Sequence, residues 1–244
     1  MSNTDKYYTV VLRLVLEAGS IVREKINQPK DAMTKSCEVD LVTEWDQNVE
    51  KLLMEGISSK FPDHKFIGEE ASSLGSKIEL TEAPTWIIDP IDVYNPILDQ
   101  LFTARKGQGA FLNGRPLHVS GQKELRKALI MMEMGTSRDP EKMKIVLENA
   151  NILAPHVHGI RALGSAALNM CMVALGGADI SFEFGIHAWD VAAGDIIVRE
   201  AGGVCIDPAG GPFDVMSRRV LCASTMELAQ KLAKILVQYY PERD

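Results

Sequence analysis

The run Trp86-Ile87-Ile88-Asp89-Pro90-Ile91-Asp92 constrains the fold more than any other stretch of the chain. Three large apolar residues bounded by a proline predict a short buried strand. Asp89 closes that strand, and Pro90, with its fixed φ and missing amide hydrogen, turns the backbone at once. Two carboxylates three positions apart then stand at the carboxyl end of a buried strand, where open α/β sheets hold their ligands. Close carboxylates repel, and each titrates upward unless a proton or a cation lies between them. Oxygen-only donors suit hard divalent cations, Mg²⁺ in particular. The spacing alone fits an Asx-Pro turn with solvated side chains equally well.

The same strand-to-acid pattern recurs along the chain. Residues 65–68 predict a strand ending in Glu69-Glu70, and 178–184 predict another, followed by Gly185-Ile186-His187-Ala188-Trp189-Asp190. Acids after a strand are commonly a solvated loop, but two such strands can bring Glu69, Asp89 and Asp92 to one edge. Asp190 is expected as the N-cap of a helix reaching Gly202-Gly203. Asp46 is expected in the first turn of a helix ending at Phe61-Pro62, where an acid complements the helix dipole. A first helix runs from Thr4 to about Asn27, with Val11, Leu14, Ala18, Ile21 and Val22 on one face. Residues 74–84 read as a mobile loop, and Thr103 to Gly109 as a hairpin end, its lone GxG being weak evidence for a phosphate loop. Asn113-Gly114 between two apolar runs predicts a tight hairpin.

The second half alternates strands and helices: a strand at 128–133, a helix from Pro140, and an apolar helix opened by Gly164-Ser165-Ala166-Ala167. Small residues at a helix start either let a ligand approach the free amides or serve close packing. Lobes are expected at residues 1–120 and 121–244. His156, His158 and His187 read as structural, and the four scattered cysteines as reduced thiols.

A net charge of −7 argues against nucleic-acid binding and against an anionic membrane surface. No apolar run approaches a membrane span and no signal pattern opens the chain, so a soluble cytoplasmic protein is expected.

Taken jointly, Gly68-Glu69-Glu70, Asp89-Pro90-Ile91-Asp92, Trp189-Asp190-Val191-Ala192-Ala193-Gly194 and Glu200-Ala201-Gly202-Gly203 closely resemble the inositol monophosphatase family. Residues 40–46, 103–107 and 211–214 resemble it too, so the likeness covers nearly the whole chain. It implies an α/β fold of alternating helical and sheet layers, a homodimer, and Mg²⁺-dependent, lithium-sensitive hydrolysis of inositol monophosphates. It further implies Glu69, Asp89 and the Ile91 carbonyl around one Mg²⁺, and Asp89, Asp92 and Asp190 around another. Glu69 and Asp46 take catalytic roles, Asp46 helping to orient the attacking water. Gly164, Ser165, Ala166, Glu183 and Asp190 match substrate-contacting positions, as do Glu69, Ile91 and Asp92 at the phosphate.

The chain departs from the family pattern at one place. The family continues Asp-Pro-Ile-Asp with Gly-Thr or Gly-Ser, opening a helix whose amides cradle the phosphate, whereas Asp92 is followed by Val93-Tyr94. Roughly thirty residues of family text are absent between Asp92 and Thr103, enough for that helix start and a strand pair. A second reading therefore stands beside the enzyme: a catalytically dead variant that acts as a dimer subunit or regulator.

Overall fold

The computed structural model of the chain describes residues 3–25, 32–34, 41–73, 75, 80–89 and 94–244. Contacts divide it into two compact units, Met1–Gln100 and Leu101–Asp244.

In the first unit, α1 (Asn3–Lys25) is followed by an antiparallel pair, β1 (Ala32–Thr34) and β2 (Leu41–Thr43), that the sequence did not suggest. α2 (Glu44–Ser58) comes next and starts two residues ahead of Asp46. Leu14 and Ala18 of α1 and Val49, Leu53 and Ile57 of α2 share one core with Ile88. Their four-residue spacings put each set on a single helix face. β3 (Lys65–Gly68), α3 (Glu69–Ser73), β4 (Thr85–Ile88) and the two-residue β5 (Tyr94–Asn95) complete the unit. β3 and β4 run parallel, with Gly68 opposite Ile88. Trp86 is pinned in β4 by its Nε1, which donates to His64 Nδ1 at 2.9 Å inside an aromatic group with Tyr7 and Phe61.

In the second unit, β6 (Gln100–Ala104), β7 (Ala110–Leu112) and β8 (Arg115–Pro116) form an antiparallel meander. The expected hairpin turn is there: Asn113 and Gly114 have φ of 49° and 76°, the pair of left-handed residues a type I′ turn requires. After a 3-10 turn at Leu125–Lys127 come β9 (Leu129–Met132), α4 (Pro140–Leu153), β10 (Gly159–Arg161) and α5 (Ala166–Ala174). β11 (Ile180–Phe184), α6 (Ala188–Glu200), β12 (Val204–Ile206), β13 (Arg219–Ala223) and α7 (Met226–Ala233) follow. Five strands make one sheet in the order β10-β9-β11-β13-β12, its first three strands parallel and the rest antiparallel. Ile130, Ile180, Phe182, Leu221 and Leu228 are wholly buried in its core.

The division falls at Gln100, ahead of the lobe boundary expected near residue 120. The segment between is tied into the second unit: Val119 N donates to Ala201 O, and Gly107 N and Gly109 N each donate at 2.8 Å to the Glu200 carboxylate. That carboxylate consumes the amides of the GxG turn, so the turn is held as a hairpin end rather than opened as an anion loop. Among the described residues, no helix is long and apolar enough to cross a membrane.

Candidate active site

In the first unit, Glu69 and Asp89 directly follow Gly68 and Ile88, which are paired across two parallel strands. Neighbouring strands lie about 4.8 Å apart, so the two acids leave the sheet side by side at its carboxyl edge. Both are half-buried, as is Asp46 in the first turn of α2. This arrangement is the one the strand-end acids suggested. Ile91 and Asp92 lie outside the described residues.

One acid in this unit was not anticipated. Glu50 is 3% exposed, and its two carboxylate oxygens accept from the Glu70 and Ala71 amides at 2.8 Å each. It thereby caps α3, the turn that presents Glu69, and satisfies two of the amides a helix start leaves open. Gly68 makes room for it, since a Cβ there would stand 2.8 Å from the Glu50 carboxyl. The sequence carried a signal: Glu50 falls among Val49, Leu53 and Ile57 on the apolar side of α2, where a charge needs a partner. Glu50→Ala is expected to lower stability by about 2–3 kcal/mol, because it strands one buried and one half-buried donor. Denaturant unfolding reads this directly, and Glu50→Gln, which keeps one acceptor, loses less.

In the second unit the acids gather at the carboxyl ends of the parallel strands β9 and β11. Glu133, one residue past β9, accepts from Gly164 N at 2.7 Å and from Asn169 Nδ2 at 2.9 Å. It fastens the start of α5 to the sheet, and it is a third strand-end acid that the sequence reading passed over. The Gly164 amide is thus engaged within the protein. Ser165 is the N-cap of α5, its Oγ accepting from Leu168 N at 3.2 Å, and Ala166 is the first helical residue. Asp190 is not the N-cap of α6, as expected; His187 is. Asp190 sits three residues further on, and its carboxylate reaches back to accept from His187 N at 2.6 Å. A side chain at the third helical position can cap the first free amide, which starts the helix earlier. His187 stacks on Trp189 at 4.5 Å and meets Asp244, whose other oxygen accepts from Ala188 N.

Glu183, in β11, is 7% exposed. Burial pushes its carboxyl up to about 8, the Asp190 and Glu133 carboxylates add to the rise, and Lys142 opposes it. An acid raised in the folded state stabilises the fold below its unfolded value and loses that contribution as pH climbs through the folded one. In metal-free protein, stability is therefore expected to fall from pH 4.5 to about 8, by up to about 5 kcal/mol at roughly 1.4 kcal/mol per unit. Melting curves of Glu183→Gln should be flatter across that window. Equal slopes for the two proteins would contradict the assignment.

No three His, Cys, Asp or Glu side chains among the described residues are grouped closely enough to hold a metal ion. Glu69 and Asp89 belong to the first unit, and Asp190, Glu183, Gly164, Ser165 and Ala166 to the second.

The description "Inositol monophosphatase family" fits residues 3–92 and 93–240, two stretches that abut between Asp92 and Val93. Inositol monophosphatase 1 of Rattus norvegicus is 46% identical over 266 aligned positions, covering 97% of this chain and 95% of that protein. The Homo sapiens protein of the same name is 46% identical, covering 95% and 94%. With 97% of 244 residues aligned over 266 positions, about 29 positions of the rat protein face no residue here. That agrees with the roughly thirty residues missing from the sequence pattern. Among solved structures, the extragenic suppressor protein suhB of Bartonella henselae superposes with a TM-score of 0.80 at 28% identity, covering 94% of this chain and 97% of that one. Inositol monophosphatase from Anabaena (Nostoc) gives 0.79 at 25%, covering 96% of each. The layered α/β fold and the nearly full-length match agree, and the chain belongs to the inositol monophosphatase family of phosphoric monoester hydrolases.

Proposed function

We propose that this chain hydrolyses inositol monophosphates to inositol and phosphate with Mg²⁺ as cofactor. The observation that carries the reading is the pair Glu69 and Asp89, leaving adjacent parallel strands at matched positions. Two neighbouring carboxylates make an all-oxygen donor set that fits a hard divalent cation. Ile91 through its carbonyl, Asp92 and Asp190 complete the proposed set. When bound, Mg²⁺ supplies a Lewis acid that offsets the charge of the phosphate monoester and acidifies water.

The protein's own groups do the rest. Glu69 and Asp46 hold and orient the attacking water and take up its proton. Ser165 and Ala166 open α5, where the first amides of a helix have no partner within it and favour an anion or a hydroxyl. Glu183 and Asp190 receive the polyol hydroxyls. The resemblance adds a homodimer working in the cytoplasm, and light scattering tests the first of these.

The break between Asp92 and Val93 favours a second reading, a folded but inert subunit. Phosphate release from inositol 1-phosphate separates the two. The enzyme turns over with Mg²⁺, stops with a chelator and slows in millimolar lithium. A folded protein releasing no phosphate above a buffer blank leaves only the inert subunit.

A further inference from the structure

Lys142 occupies the first turn of α4, where its amide donates to Asp139 Oδ1 at 2.8 Å. The residue is 2% exposed, an unusual burial for a lysine. The side chain enters a slot framed by two glycines in the left-handed region, Gly135 (φ +66°) and Gly185 (φ +76°). A Cβ on Gly135 would stand 2.7 Å from Nζ, and one on Gly185 would stand 3.3 Å from both Cε and Nζ. Side chains at either position would close the slot.

Nζ makes no hydrogen bond and no ion pair within 4.0 Å among the described residues. Nζ is not among the fully sealed polar atoms, so an ammonium with no protein partner is left open to an acceptor from outside. Arg138 and Arg218 stand nearby but are turned to backbone carbonyls, Arg138 to Gly135 and Arg218 to Ile186. The acids facing Lys142 are Glu183 and Asp139, and the Asp139 carboxylate is already engaged by the Lys142 amide. The same Gly135 Cβ position lies 3.3 Å from Glu183 Oε1, so Nζ and that oxygen are at most 6.0 Å apart, the sum of the two distances. They are also more than 4.0 Å apart, beyond direct contact. That gap suits one bridging oxygen with two hydrogen bonds of about 2.8 Å.

We propose that Lys142 is a specificity-determining residue that grips one ring hydroxyl of a polyol phosphate together with Glu183. Nζ donates to the hydroxyl oxygen, and the Glu183 carboxyl makes the second hydrogen bond. A hydroxyl suits the position because it can accept from Nζ and still bond the Glu183 carboxyl, whereas an anionic group would meet a carboxyl already pressed by the Asp190 and Glu133 carboxylates. This inference rests on the phosphatase reading and refines its substrate class.

Calorimetric binding in Mg²⁺ tests it with two ligands, inositol 1-phosphate and cyclohexyl phosphate, which has the same ring without hydroxyls. Wild type should prefer inositol 1-phosphate. K142M should bind it at least about tenfold more weakly, the worth of one hydrogen bond to a charged group, and bind cyclohexyl phosphate as wild type does. K142Q, which keeps a donor, should fall between, and it replaces K142M if that variant does not melt cooperatively. Equal weakening of both ligands, or of neither, overturns the proposal and leaves the phosphatase reading intact. Wild-type protein that binds neither ligand overturns both.

Discussion

Asp190→Asn is expected to cut Mg²⁺-dependent phosphate release from inositol 1-phosphate by about a thousandfold or more, while the protein stays folded. The two expectations separate because the helix-starting role of Asp190 and its proposed metal role differ in chemistry. Its carboxylate accepts from His187 N at 2.6 Å and so starts α6. An Asn oxygen can still accept that hydrogen bond, and losing the charge at a helix start costs only about 1 kcal/mol. The proposed metal contact depends on the charge itself, and several kcal/mol of transition-state stabilisation go with it, at about 1.4 kcal/mol per tenfold in rate. Asp195→Asn is the control. It makes the same change in the same helix, where Asp195 pairs with Arg199 at 2.7 Å, and activity should survive. Steady-state kinetics with a melting curve for each variant reads both halves of the prediction.

The second large effect runs the other way. Inserting the matching segment of about 29 residues from rat inositol monophosphatase 1 between Asp92 and Val93 is expected to raise kcat by about 10²–10³-fold. The family's Gly-Thr after Asp-Pro-Ile-Asp implies a hydroxyl that orients water with the acid at Asp46, and amides at a helix start that cradle phosphate. The same insertion should raise the melting temperature. Among the described strands of the first unit, β3 and β4 pair only with each other, and a two-stranded sheet is marginal. Additional strands would cover those open edges. A rate and a melting temperature both unchanged by the insertion would mean that competence does not depend on the segment.

Much of this fold was legible because the sequence signals are local. Trp86-Ile87-Ile88 before Asp-Pro announced β4, and Asn113-Gly114 announced its hairpin because both residues accept positive φ. The small residues Gly164-Ser165-Ala166-Ala167 announced the start of α5. What was missed depends on partners distant in the chain or on segments too short for a period. β1 and β2 have three residues each and α3 has five, less than the two turns that amphipathic spacing needs. Glu50 and Lys142 were passed over in the sequence. Their roles come from the Glu70 and Ala71 amides in one case and from Gly135, Gly185 and Glu183 in the other. Asp190 was read as an N-cap because a cap residue and an acid at the third helical position carry the same local signature; only the His187 hydrogen bond tells them apart.

For the candidate site, strand-end acids were the readable part. Glu69 and Asp89 were found that way, and Glu133 could have been, since it follows an apolar strand in the same fashion. Its work of fastening α5 shows that the pattern marks a position on the sheet edge and leaves the role to the neighbours.

The most direct measurement is a crystal of the chain grown with Mn²⁺ in place of Mg²⁺, an exchange that keeps an octahedral oxygen site and adds an anomalous signal. The account predicts an anomalous peak about 2.0–2.3 Å from carboxylate oxygens of Glu69 and Asp89, with Asp190 bound to it or to a second ion beside it. A well-diffracting crystal of folded protein with no peak at Glu69 and Asp89, or with Asp190 remote from any ion there, would contradict it.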